Sequence, residues 1–293
     1  MPWWRNPRGR VVAFVVLAGA LAIVAVLGLN WREVSRHVRV LWYFERLGRN
    51  AVGSPEYRHR TTGIVFVALP GGRYRMGSPS GESEGLNCEP VHEVVLSPFF
   101  ISKFEVTQAE WRRAMGDLPA VFPGADLPVD DVSWDDGQRF CRTTGLALPS
   151  EAQWEYACRG GARDLAPSSN LDATAWWFGN LGMTTRAVGT KEANVFGLHD
   201  LYGNVWEWCE DAFDPLFYTH SQAAGPDPVC RTQSKRRVIR GGDWLSNARI
   251  CRAAHRGWRE RTFRSAQIAY IGRFGSPRRD STTIGLRLVF PTH

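Results

Sequence analysis

Six cysteines, at positions 88, 141, 158, 209, 230 and 251, are the side chains in this 293-residue chain best suited to reactive chemistry. A thiolate is both a nucleophile and a soft metal ligand, so such residues suggest disulfides, redox steps or soft-metal binding. Six cysteines allow fifteen complete pairings, and spacing does not choose among them. Cys209 and Cys230 bracket a loop that a bridge between them would close. The histidines, among them His92, His199 and His255, are scattered. The chain carries no HExxH zinc helix, no serine nucleophile elbow and no phosphate-cradling glycine loop. Trp206-Glu207-Trp208 sets a carboxylate between two indoles, in a chain with 13 Trp. By itself that run reads as core.

Short elements must position these groups. Residues 64–69 read as a strand, 70–72 as a turn and 73–76 as a second strand. Residues 91–101 hold two more apolar runs around Ser97-Pro98. Capping boxes predict three helix starts, at Thr107 with Glu110, Ser133 with Asp136, and Ser150 with Gln153. Their stops fall near Gly116, Gly145 and Gly160-Gly161. Helices of about ten residues are marginal alone. Each must therefore dock its aromatic, Trp111, Phe140 or Trp154, into a shared core. Residues 48–63 are polar and read as a linker, and no fixed repeat or second boundary follows.

Several runs then resemble one known family, in that family's order. They are FVALPGGRYRMGS (66–78), FFISKFEVTQAEW (99–111), PVDDVSW (128–134), LPSEAQWEYACRGG (148–161), GLHDLYGNVWEW (197–208), RGGDW (240–244) and IGLRLV (284–289). Together they are similar to the formylglycine-generating enzyme, or sulfatase-modifying factor, family over about residues 64–290. The resemblance implies an α+β fold, C-type-lectin-like and low in regular secondary structure. It also implies that Trp154, Trp206, Trp208 and Trp244 pack the core.

The same resemblance implies sites. A structural calcium would take Asp200, Gly203, Val205 and Glu207, the two middle residues through backbone carbonyls. Hard oxygen donors suit that ion. The other reading of these residues has Asp200 capping a turn and Glu207 pairing with a buried Arg. The family's oxidase chemistry uses two cysteines after the Gly-Gly pair, which bind copper(I). Here Ser246 stands at the first of those positions, and a hydroxyl is a poor copper(I) ligand. Cys251 aligns with the family's structural cysteine, which implies a Cys158–Cys251 disulfide. Cys141 would be a free buried thiol, because Leu288 stands where its partner belongs. Copper is therefore not expected, and the catalytic residues stay unassigned within the segment that holds Ser246 and Cys251.

The formal net charge of +7 is unevenly spread. Residues 1–50 carry +6, residues 51–230 carry −11 and residues 231–293 carry +12. So large an acidic block argues against a nucleic-acid partner. The acidic and basic blocks of one domain should meet across the fold. An Arg-rich stretch, 231–287, either serves only that pairing or leaves a basic groove for an extended or anionic partner.

Residues 11–29 are apolar for 19 positions, enough to span about 30 Å of hydrocarbon. Arg5, Arg8 and Arg10 precede them. A cleavable signal has a shorter apolar region, so the reading is an uncleaved anchor. A basic flank (1–10), a transmembrane anchor (11–30), a juxtamembrane helix and linker (31–63) and the domain (64–293) follow. Residues 31–47 read as an interfacial helix on anionic lipid or as a solvated stalk. A signal anchor and six cysteines both fit an extracytoplasmic domain.

The expectation is a membrane-anchored, single-pass protein that binds and matures a protein or small-molecule partner in a cleft near 243–251, without the copper–cysteine mechanism. The alternatives are a true oxidase acting on Cys-x-Pro-x-Arg segments of sulfatases, and a lectin-like binding module without chemistry.

Overall fold

The computed structural model describes residues 38–79, 88–117, 120–161, 170–180, 184–265 and 282–291. The chain divides into two compact units, residues 45–291 and a smaller one of residues 1–44 with 292–293. In the smaller unit residues 38–43 are helical, and Val38, Leu41 and Trp42 are exposed. Among the described residues no helix is long and apolar enough to cross a membrane. The apolar stretch expected to be the anchor lies outside them.

Short apolar runs supply the central strands of the larger unit. Strands β1 (Phe44–Arg49), β2 (Pro55–His59), β3 (Val65–Leu69), β6 (Phe99–Ser102) and β11 (Val289–Phe290) form a five-stranded sheet in the order β1-β2-β3-β6-β11. A separate hairpin joins β4 (Gly72–Met76) to β5 (His92–Leu96). The stretch 48–63, read from its polarity as a linker, instead supplies β2, which pairs Tyr57 against Phe66. Its polar residues are tolerated because the strand buries only part of its surface. The folded unit therefore begins near residue 45, not 64.

The helices are α1 (Gln108–Met115), α2 (Trp134–Thr144), α3 (Glu151–Cys158) and the single turn α4 (Leu171–Thr174). All three expected capping boxes are formed, at Thr107, Ser133 and Ser150. The docking residues meet as required: Trp111 of α1 stacks on Phe140 of α2 with ring centroids 5.1 Å apart. Trp154 of α3 is fully buried.

The element that organises the site is β7 (Trp206–Ala212), in a four-stranded sheet ordered β10-β7-β8-β9. Its neighbours are β8 (Arg236–Arg240), β9 (Gly257–Glu260) and β10 (Ile284–Gly285). Register sets Glu207 opposite Arg240 on one side and Gly285 on the other. The basic C-terminal block thus meets the acidic middle of the chain. Arg240 pairs with Glu155 and Glu151, Arg256 with Glu151, and Arg287 with Glu207.

Candidate functional site

The loop 241–256 leaves β8 and is closed by the last residue of that strand. The buried Arg240 guanidinium donates to the carbonyls of Ala253, Ala254 and His255 and to the Glu155 carboxylate. Gly242 has φ +80°, and a Cβ there would lie 3.1 Å from Cys251 Sγ and 3.2 Å from Ser246 Cβ. Only glycine lets the chain pass so close to both side chains.

Within the loop, Asp243 and Ser246 form a reciprocal turn. Ser246 Oγ donates to Asp243 Oδ1 at 2.7 Å, and the Asp243 N–H donates to Ser246 Oγ at 3.0 Å. Asp243 also accepts from the N–H groups of Leu245 and Thr283. Burial pushes its carboxyl up to about 6, against the pull of these donors. Ser246 is therefore both donor and acceptor in a local turn, the pattern that favours Ser and Asp at such positions. Five residues on, Cys251 is buried with Sγ toward the Ser246 carbonyl. Burial, then the Asp243 charge, pushes its thiol up to about 12. At neutral pH the segment carries no thiolate at Cys251.

Two aromatic groups flank the turn. The N–H of Trp244 bonds the Asn204 carbonyl, its ring meets Phe122 edge-on, and its Nε1 is buried without a partner. His255 packs on Trp206 with ring centroids 5.6 Å apart. Its Nδ1 is likewise buried and unpartnered, and burial lowers its pKa to about 4, so the ring is neutral at pH 7.

The residues expected to hold calcium lie beside this loop. Glu207 accepts Arg287 Nε and Nη2 at 2.8–3.1 Å and Trp154 Nε1 at 2.6 Å. Asp200, at φ +57°, accepts the Gly189 N–H at 2.6 Å. Gly203, at φ +74°, would bring a Cβ to 2.0 Å from the Trp176 carbonyl oxygen. The Val205 N–H donates to Glu105. In this arrangement the guanidinium is the cation on Glu207, and a calcium ion there would have to displace it. Among the described residues no group of three or more His, Cys, Asp or Glu is placed to share a metal.

Sequence reasoning passed over Asn204 and Glu105. Asn204 Nδ2 donates to Glu105 Oε2 at 2.6 Å, its Oδ1 accepts the Arg186 N–H, and its carbonyl accepts Trp244. It joins the Glu207 cluster to the Asp243 loop. The Gly203-Asn204 dipeptide, a turn signal, was what the sequence offered, and the structure gives Asn204 a positive φ of 56°.

The disulfide expectations are corrected. All six cysteines are free and buried, so neither Cys158–Cys251 nor Cys209–Cys230 is formed. Three of these thiols have local partners instead. Cys158 Sγ faces the Leu201 carbonyl, Cys251 Sγ that of Ser246, and Cys230 Sγ the Thr232 hydroxyl.

Comparison with known proteins finds relatives in sequence and in fold. The chain is 29% identical over 253 residues to the formylglycine-generating enzyme of Streptomyces coelicolor, covering 63% of this chain and 80% of that one. It is 28% identical over 269 residues to the chaperone protein LppX of Paenibacillus barcinonensis, covering 71% and 83%. Among solved structures, Treponema denticola variable protein 1 superposes with a TM-score of 0.65 at 23% identity, over 80% of this chain and 98% of the other, which shows the fold. Residues 52–270 match the model of the sulfatase-modifying factor enzyme 1-like domain, so the chain that closes its 241–256 loop on Arg240 and its sheet on Arg287–Glu207 belongs to the sulfatase-modifying factor family.

Proposed function

We propose that this family domain binds and matures a protein or small-molecule partner at the 243–251 loop, without thiol-pair oxidation. The observation that carries the reading is the state of the two residues in the family's catalytic segment. Ser246 is committed to the Asp243 turn, and the Cys251 thiol is buried and neutral. Neither offers the accessible thiolate that copper(I) chemistry requires. Two unpartnered polar atoms, Trp244 Nε1 and His255 Nδ1, lie buried on either side of the Asp243 turn, and a partner would reach them by opening the loop. Relatives named as an enzyme and as a chaperone support a scaffold that is used for more than one task.

The test is direct. Copper-loaded protein is incubated with a Cys-x-Pro-x-Arg peptide under oxygen, and the product is read by mass spectrometry. No aldehyde is expected; robust aldehyde formation would overturn the reading in favour of the oxidase. Alanine at Trp244 or His255 separates partner binding from a purely structural loop, by loss of capture of a cross-linked partner with the fold retained.

The reading includes a single-pass anchor at 11–30, an extracytoplasmic domain and a C-type-lectin-like relationship of the fold. The 19-residue apolar run supports the anchor. Protease added to intact cells should remove the domain; full protection would refute that placement.

A further inference from the structure

The two-stranded ribbon β8–β9 carries an unusual arrangement of charge. Register places Arg237 directly opposite Arg259. Side chains opposite one another in an antiparallel pair share a face, and like charges there repel. Arg261, two residues beyond Arg259, continues that face, and its N–H bonds the carbonyl of the exposed Lys235. Four cations therefore line one face of one ribbon.

The acids within reach are already engaged. Asp135 pairs with Arg261 at 2.6 Å, and Asp136 with Arg264 at 2.8 Å. Glu210 accepts Gln138 Nε2 at 2.6 Å and gives Arg237 only its backbone carbonyl, at 3.3 Å. Among the described residues neither Arg237 nor Arg259 makes an ion pair: the Glu210 carboxylate acts on Arg237 and that of Asp243 on Arg259 only through their charge, and Arg237 Nε has no partner. Arg259 donates to the Trp258 carbonyl and to Thr282 Oγ1. Elsewhere the fold pairs its most buried arginines: Arg240 holds Glu155, Arg256 holds Glu151 and Arg287 holds Glu207. The opposed pair is the exception. Burial moves both guanidinium groups below the ordinary arginine range, and Arg261 adds to the effect at Arg237.

The pair is also held in place. The Arg237 guanidinium lies 4.0 Å from the centroid of the Trp134 ring, and Trp134 is fixed by Nε1 on the Cys209 carbonyl at 2.9 Å. A guanidinium laid over an indole keeps its N–H edge for an anion, and that planar fork matches phosphate or carboxylate oxygens.

We infer that the Arg237–Arg259 face is a seat for the phosphate monoester group of a soluble ligand. Two opposed guanidinium groups carry a charge of two, which complements a monoester of about −1.5 to −2 better than a singly charged diester. The seat adjoins the Asp243 loop, because Thr282, which holds Arg259, precedes Thr283, whose N–H bonds Asp243. It stands whether or not that loop acts on a partner.

The experiment measures the full-length chain by calorimetric titration and thermal melting, with inorganic phosphate and phenyl phosphate against chloride at matched ionic strength. Both phosphates should bind saturably and raise the Tm. Arg237→Gln and Arg259→Gln should each weaken binding at least tenfold while remaining folded in chloride. Arg236→Gln, on the opposite face over Trp258, should stay within twofold. Should Arg259→Gln fail to fold, Arg259→Lys keeps the charge and loses the fork, and a weakening of at least threefold is expected. Equal behaviour in phosphate and chloride would overturn the proposal, as would an equal loss in Arg236→Gln. So would binding to phosphatidylglycerol vesicles without binding to the soluble phosphates, which would assign the face to lipid.

Discussion

Replacing Ser246 by Ala tests the account of the candidate loop most sharply. The substitution removes the hydroxyl that donates to the buried Asp243 carboxylate at 2.7 Å and accepts the Asp243 N–H at 3.0 Å. A hydrogen bond to a charged group contributes about 1.5–3 kcal/mol, and an orphaned buried N–H costs about 1 kcal/mol more. A loss of about 2–4 kcal/mol is expected at pH 8. Asp243 sits at about 6 in the folded protein, raised by burial from an ordinary 3.8. Below that value it is protonated, the bond is between neutral groups, and its worth falls to about 0.5–1.5 kcal/mol. Because Ser246 pulls the Asp243 pKa down, the variant's folded pKa lies higher still. Between the two folded pKa values the variant binds more protons than the parent when folded. Its deficit must therefore grow as pH rises through about 6 and level off above the variant's own pKa. Urea unfolding at pH 5, 6, 7 and 8, with Ser246→Thr as the control that keeps a hydroxyl, measures this. A deficit that does not change with pH, or one below about 0.5 kcal/mol, would refute the claim that Ser246 is a committed donor to an ionised Asp243.

Further outcomes follow from the same network. Glu207→Gln breaks the pair with the fully buried Arg287 and should destabilise by about 3–5 kcal/mol in chemical denaturation. Gly203→Ala, at positive φ and facing the Trp176 carbonyl, should exceed about 2 kcal/mol or prevent folding; a soluble variant with the parent Tm would disprove that approach. With Arg287 as the cation on Glu207, chelator should leave the Tm unchanged; a drop reversed by calcium would restore the calcium reading. Six thiols should react with Ellman's reagent in denaturant without reductant, and almost none in the native protein, where those of Cys141, Cys158 and Cys251 are raised to about 12. Four reactive thiols in denaturant would reveal a bridge.

Much of the fold was legible because its signals are local. Ser133 and Asp136 announce a capping box three residues apart, and the helix starts there. The short apolar run of residues 65–69, rich in β-branched and aromatic side chains, predicts a strand from local sequence alone. The strand Pro55–His59 was not legible, because its polar sequence resembles a linker and only pairing with Val65–Leu69 makes it a strand.

The candidate site divides along the same line. The types at 243, 246 and 251 are written in the chain, and they were enough to question the thiol-pair chemistry. The tertiary structure decided what those residues do. Arg287 reaches Glu207 across 80 positions, Thr283 reaches Asp243 across 40, and Arg237 faces Arg259 only through the β8–β9 register. Charge and hydrogen-bond capacity belong to a residue, whereas pairing, burial and the resulting shifts in proton affinity belong to its neighbours in space.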